Sequence, residues 1–179
     1  MFPALSQDIA ERARRIKLLV LDVDGVLTDG RLFIGSGGEI LKAFHTHDGH
    51  GIKMLQQSGT ACAVLTARDD AAVGTRVAQL GIRYYFKGVH DKKTAYAALR
   101  EEAGVSEEAC AFVGDDVIDL PVMTRCGLPV AVENAHGFVK QHARWITHKS
   151  GGAGAVREVC DLLMHAQGHL QSALAEYLK

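Results

Sequence analysis

Five short apolar runs, at 18–23, 61–65, 83–86, 111–113 and 129–132, alternate along the chain with segments of helical periodicity at 49–57, 70–80, 92–103 and 117–125. Each helical segment is followed or closed by a glycine, Gly59, Gly81, Gly104 and Gly127 in turn, the residue that most readily ends a helix. This rhythm leaves few folds open. Strands joined by crossover helices run parallel, so the pattern predicts a Rossmann-like, three-layer α/β/α architecture around an open, mainly parallel sheet.

Two stretches break the rhythm. The segments 31–34 and 39–44 flank Gly35-Ser36-Gly37-Gly38 and read as a β-hairpin over about 31–44, projecting just after the first strand. After Gly151-Gly152-Ala153-Gly154 comes a tail of about 151–179, with a helix near 155–166 and an amphipathic piece at 170–178. There is no internal repeat and no linker, so one domain is expected over 1–179.

A chain that is 47% hydrophobic and 23% charged has the apolar surface for a sizeable core. Its 20 basic and 21 acidic residues nearly cancel, to a net charge of −1, and no long single-sign run occurs. A nucleic-acid or membrane partner is therefore not expected, and a small molecule is. Cys62, Cys110, Cys126 and Cys160 lie far apart without a C-x-x-C pair, as reduced, buried thiols would. Residues 1–17 set Asp8, Glu11, Arg12, Arg14 and Arg15 among apolar residues at helical spacing, unlike a signal peptide. No apolar run approaches the roughly 18 residues of a membrane span, and the cytoplasm is the expected location.

The chemistry concentrates at strand ends. Asp22-Val23-Asp24-Gly25 puts two carboxylates at the carboxyl end of the first apolar run, the edge where open α/β sheets bind ligands. On its own, Asp-x-Asp-Gly is equally a turn. Thr66-Ala67-Arg68 follows the second run, Asp91-Lys92-Lys93 the third and Gly114-Asp115-Asp116-Val117-Ile118-Asp119 the fourth. Singly, such a Thr is a helix cap and such a Lys a solvated cation. Together, four successive strands end in a carboxylate nucleophile, a hydroxyl donor, a cation and metal-binding acids, the set that phosphoryl transfer needs. In that scheme Asp22 attacks phosphorus and forms an acyl-phosphate, while Thr66 and Lys92 hold the phosphate oxygens. Asp24 first protonates the leaving oxygen and then activates water.

In this order and spacing the chain resembles the haloacid dehalogenase superfamily of phosphohydrolases, whose four motifs match Asp22/Asp24, Thr66, Lys92 and Asp115 with Asp119. The resemblance implies Mg²⁺ held by the Asp22 carboxylate, the Asp24 backbone carbonyl and the Asp115 carboxylate, with Asp116 and Asp119 in support. Many members insert a cap domain over the site, and neither the stretch from Asp24 to Thr66 nor that from Lys92 to Gly114 has room for one. Further matches at Thr28-Asp29-Gly30, the hairpin, Asp48-Gly49-His50-Gly51-Ile52-Lys53 and Gly151-Gly152-Ala153-Gly154-Ala155-Val156-Arg157-Glu158-Val159 are similar to the capless 3-deoxy-D-manno-octulosonate 8-phosphate phosphatases, which serve lipopolysaccharide synthesis.

That family likeness implies a homotetramer in which the hairpins assemble and a neighbour's carboxyl-terminal segment, with Arg157, approaches the active site. It also implies substrate contacts at Asp24, His45, Thr46, His47, Asp48, Gly49, Lys53, Arg68, Arg76 and Lys92. The chain departs from the family pattern at Ala67, where Gly is common, and at His47 and Lys53, where Arg is common. A point charge does not replace a bidentate fork, so a phosphatase for a related nonulosonate 9-phosphate, or for sugar phosphates broadly, stays open as an alternative. A non-catalytic phospho-acceptor or regulatory domain is the alternative of another class, against which Asp24 speaks by favouring turnover. His45, His47, Asp48 and His50 form a further cluster that would bind zinc only if their ligand atoms converged.

Overall fold

A computed structural model describes residues 5–179. In chain order it holds α1 (Gln7–Arg15), β1 (Leu18–Leu21), β2 (Phe33–Ile34), β3 (Ile40–Leu41), α2 (Thr46–Gln57), β4 (Ala61–Leu65), α3 (Ala71–Leu80), β5 (Tyr84–Phe86) and α4 (Lys92–Ala103). There follow β6 (Cys110–Gly114), α5 (Leu120–Met123), β7 (Leu128–Ala131), α6 (Gly137–His142), β8 (Trp145–Ile146), α7 (Ala155–Ala166) and α8 (Leu170–Ala175). Residues 1–4 of the expected amino-terminal helical stretch lie outside the described residues.

Six strands form one parallel sheet in the order β5-β4-β1-β6-β7-β8, and β2 and β3 form a separate antiparallel hairpin. β1 lies at the centre and is wholly buried, as a parallel strand covered on both faces must be, which is why it reads as a continuous apolar run. α2 packs on α7 and α3, and α1 on α7, while α4 packs on α5 and α5 on α6, so two groups of helices clothe the sheet. No cap intervenes: between β1 and β4 lie only the hairpin and α2, and between Lys92 and β6 only α4 and a 3₁₀ turn at Glu107–Ala109.

The chain runs from β1 out to β4 and β5, then returns past β1 to β6, β7 and β8. The strand order therefore reverses between β1 and β6, the place where such sheets open a crevice at their carboxyl ends. Leu21 is in register with Val64 on one side and Val113 on the other. Asp22, Thr66 and Asp115, the residues that leave the three strands, thus emerge within a residue or two of one level.

Several boundaries differ from the sequence reading. The first strand ends at Leu21 rather than Val23, because the ladder stops after the Asp22 N–H donates to the Val113 carbonyl at 3.1 Å. α2 begins at Thr46, ahead of the expected 49, because Gly49 and Gly51 weaken the helical signal there. The helix expected over 117–125 is a 3₁₀ turn at Val117–Asp119 followed by the four-residue α5, which carries Pro121 in its first turn. α6 and β8 were not foreseen; a two-residue edge strand is too short to show a period.

Candidate active site

The loop after β1 is wound tightly. The N–H groups of Val26, Leu27 and Thr28 all donate to the Val23 carbonyl, at 3.2, 3.0 and 3.0 Å. Gly25 sits at φ +90°, and a Cβ there would run into the Asp115 carboxylate; glycine is what lets the loops after β1 and β6 approach. Gly151 and Gly152 brace this loop from behind: the Gly152 N–H donates to the Val26 carbonyl at 3.0 Å, and a side chain at Gly151 would meet the Gly25 carbonyl.

Lys92 is the first residue of α4, which Asp91 caps through the N–H groups of Lys93 and Thr94 at 3.0 and 3.2 Å. The lysine itself turns inward and is 4% exposed. Its Nζ donates to Asp22 Oδ1 at 2.7 Å and to Asp119 Oδ1 at 2.6 Å. The other Asp119 oxygen accepts the N–H groups of Asp115 and Asp116, at 2.9 and 3.3 Å. Asp119 thus fixes both the lysine and the loop that carries Asp115.

Ligand atoms of Asp22, Asp115 and Asp119 lie within 4.8 Å of one another, the one such group of metal-capable side chains found among the described residues. Burial and the charge of Asp119, only partly offset by Lys92, push the Asp22 carboxyl up to about 7. Burial and the charges of Asp22, Asp119 and Asp116 likewise push Asp115 up to about 7. Lys92 loses stability as a cation through burial, but the charges of Asp22 and Asp119 outweigh this and raise it above its ordinary value. One ammonium does not neutralise three carboxylates, and a hard dication fits the remaining oxygens. Asp116 stands apart: it is exposed, and its Oδ1 accepts from Val117 N–H at 2.7 Å, capping the 3₁₀ turn.

Thr66 is buried, and its Oγ1 accepts from Arg68 N–H at 3.3 Å, which leaves the hydroxyl proton to be donated. Asp24 faces a second ionic group that the sequence did not reveal. Lys42, just after β3, donates to Asp24 Oδ1 at 2.6 Å and pairs with Asp70 Oδ2 at 2.7 Å. Arg68 Nε lies 3.1 Å from Asp70 Oδ2 and 3.9 Å from Asp24 Oδ2. Burial pushes the Asp70 carboxyl up, and hydrogen bonds from Lys42 and Arg68 outweigh this and hold it below its ordinary value.

The residues around the start of α2 are placed less uniformly. His45 is its N-cap, with Nδ1 accepting from His47 N–H at 3.2 Å, and Thr46, His47 and Lys53 are exposed. Asp48 turns into the protein instead: its Oδ1 accepts from Arg157 N–H at 2.7 Å, satisfying the first turn of α7. Among the described residues, His45, His47, Asp48 and His50 do not gather their ligand atoms into a metal-capable group. Gly49 is buried against the Arg76 guanidinium, which also lies over the Phe44 ring at 5.9 Å. Arg157 pairs with Asp161 at 2.8 Å.

Residues 82–159 match the family model of the haloacid dehalogenase-like hydrolases. Over 169 residues, 94% of this chain and 90% of the relative, the sequence is 46% identical to the 3-deoxy-D-manno-octulosonate 8-phosphate phosphatase KdsC of Escherichia coli K12. A crystal structure of a probable YrbI family phosphatase from Pseudomonas syringae superposes with a TM-score of 0.95 at 48% identity, covering 97% of this chain and 99% of that one. The 3-deoxy-D-manno-octulosonate 8-phosphate phosphatase of Moraxella catarrhalis, crystallised with magnesium, phosphate and the KDO molecule, superposes with a TM-score of 0.94 at 38% identity, again over 97% and 99% of the two chains.

Proposed function

This chain belongs to the 3-deoxy-D-manno-octulosonate 8-phosphate phosphatase family of haloacid dehalogenase-like hydrolases, and from that premise we propose that it hydrolyses 3-deoxy-D-manno-octulosonate 8-phosphate through an aspartyl-phosphate on Asp22, in lipopolysaccharide biosynthesis. The observation that carries this reading is the meeting of Asp22, Lys92, Asp115 and Asp119 where the strand order reverses.

A carboxylate oxygen of Asp22 attacks phosphorus as the bond from phosphorus to the sugar oxygen breaks, and Asp24 gives that oxygen its proton. Asp24, now a carboxylate, takes a proton from water as the water oxygen attacks phosphorus. The bond from phosphorus to Asp22 then breaks, releasing phosphate and restoring both acids. Mg²⁺ is the cofactor; held by Asp22, Asp115 and the Asp24 backbone carbonyl, it supplies the positive charge that lets an anionic nucleophile approach an anionic ester. Lys92 and the Thr66 hydroxyl hold the remaining phosphate oxygens, and Asp119 keeps Lys92 and the Asp115 loop in place. His45, Thr46, His47, Lys53, Arg68 and Arg76 line the sugar side, while Asp48 and Gly49 act by seating α7 and Arg76.

The enzyme works as a homotetramer in the cytoplasm. Supporting the assembly, the hairpin holds Phe33, Ile34 and Leu41 54%, 69% and 66% exposed, more apolar surface than a hairpin facing water would carry. Arg157 of a neighbour then comes to the open site. Among the described residues, no helix is long and apolar enough to cross a membrane.

The test is phosphate release from a panel of sugar phosphates, nonulosonate 9-phosphates included, with Mg²⁺ and with chelator. Magnesium-dependent preference for the octulosonate ester is the expected result. Equal rates across the panel would leave the chemistry and remove the substrate, and full turnover by Asp22→Asn would sink the mechanism.

A further inference from the structure

Lys42 has no part in the scheme so far, yet its side chain is completely buried although it comes from a hairpin arm whose neighbouring residues, Leu41 and Ala43, are exposed. An ammonium leaves water only for strong partners, and two carboxylates hold this one, Asp24 at 2.6 Å and Asp70 at 2.7 Å. Asp70 occupies the N-cap position of α3 with extended backbone, but its side chain caps nothing. Its carboxylate is committed instead to Lys42 and Arg68, so the helix forgoes a cap that ordinarily stabilises it.

The two oxygens of Asp24 are treated differently. Oδ1 is anchored on Lys42 at 2.6 Å, whereas among the described residues Oδ2 has only Arg68 at 3.9 Å, beyond hydrogen-bond reach. We propose that Lys42 is a positioning residue: braced by Asp70, it pins one oxygen of Asp24 so that the other is presented for proton transfer, and the root of the hairpin thereby sets the geometry of the acid/base. The inference rests on the aspartyl-phosphate reading above and deepens it. Lys42 acts through Asp24 and not on the phosphate, so its loss should fall on proton transfer and spare the attack by Asp22.

An ester with an acidic leaving group separates the two steps, because 4-nitrophenolate departs without help from an acid. With 4-nitrophenyl phosphate and Mg²⁺, Lys42→Met should keep a rapid burst of about one nitrophenolate per Asp22, while its steady rate falls about 100-fold, the scale of lost general acid/base catalysis. With an alkyl sugar phosphate there should be no burst and a fall at least as large, with KM little changed. Lys42→Arg, which keeps the cation, should recover most of the rate. A steady rate for Lys42→Met close to that of the unmodified protein would overturn the proposal. So would loss of the burst together with a lowered unfolding temperature, since that would mean a structural role only. If the unmodified protein releases no phosphate from any ester, the catalytic reading itself fails and takes this inference with it.

Discussion

The two sides of the active site are built on different principles. The floor, formed by Asp22, Asp115, Asp119 and Lys92, stands on strand ends and a helix start that pack directly on the core, with Lys92 held between Asp22 and Asp119 and Asp119 in turn bonded to the Asp115 N–H. The rim, formed by the hairpin, the start of α2 and the loop after β4, has short strands and exposed apolar side chains, and the hairpin is tied down by the buried Lys42. In the proposed reaction, phosphoryl chemistry, which tolerates little displacement, would sit on the rigid side, and recognition of a particular sugar on the side that can vary without disturbing the sheet.

The sharpest way to break that comparison is at the floor. Asp22→Asn should lower phosphate release by on the order of 10³-fold or more, because the proposed covalent intermediate forms on the Asp22 carboxylate. A residual rate near that of the parent would mean that the floor does not carry the chemistry. Lys92→Met should come next, and should act on stability as well as rate. Removing one partner of a buried ion pair costs on the order of 3–5 kcal/mol, here by leaving Asp22 and Asp119 facing each other, and the denaturant midpoint measures it.

Metal and proton should compete at the same place. Without a cation, Asp22 and Asp115 are raised from 3.8 to about 7, so between those values the folded chain holds more protons than the unfolded one. Their contribution to stability is full below the lower value and is lost as pH rises through the higher one. Mg²⁺ binds the deprotonated acids and offsets that loss, so the rise in Tm it produces should be larger near about pH 8 than near about pH 5.5. An equal rise at both would place the cation elsewhere. The smallest effect belongs to the rim: His47→Ala should raise KM about 3-fold and leave kcat within about 2-fold, the sign of uniform binding lost. A fall in kcat instead would erase the division between floor and rim.

Much of the floor was legible before the fold was known. Asp22, Thr66, Lys92 and Asp115 each follow an apolar run, and a parallel sheet has only one edge to which such residues can go. The place of Asp119 was half legible: the family resemblance implied support of the metal site, but nothing local said that one of its oxygens holds Lys92, 27 residues away. The surroundings of the α2 start were not legible for a similar reason. Asp48 lies among polar neighbours in the sequence, and only the packing of α2 on α7 turns it inward to the Arg157 N–H. Lys42 and Asp70 gave no signal at all, since a lysine on a hairpin arm and an acid before a helix are ordinary surface residues in any sequence.

The sequence by itself determined the parallel α/β architecture, the absence of a cap between the motifs and the gathering of Asp22, Thr66, Lys92 and Asp115 at one edge of the sheet. These follow from period, from segment length and from residues that sit where strands end, all of which are local properties of the chain. The tertiary structure alone decided which charges meet: Lys92 with Asp22 across 70 residues, Lys42 with Asp24 across 18, and Asp48 with the first turn of α7. A charge carries no mark of its partner, and the pairing is chosen only when packing removes water and leaves each buried ion with whichever opposite group is in reach.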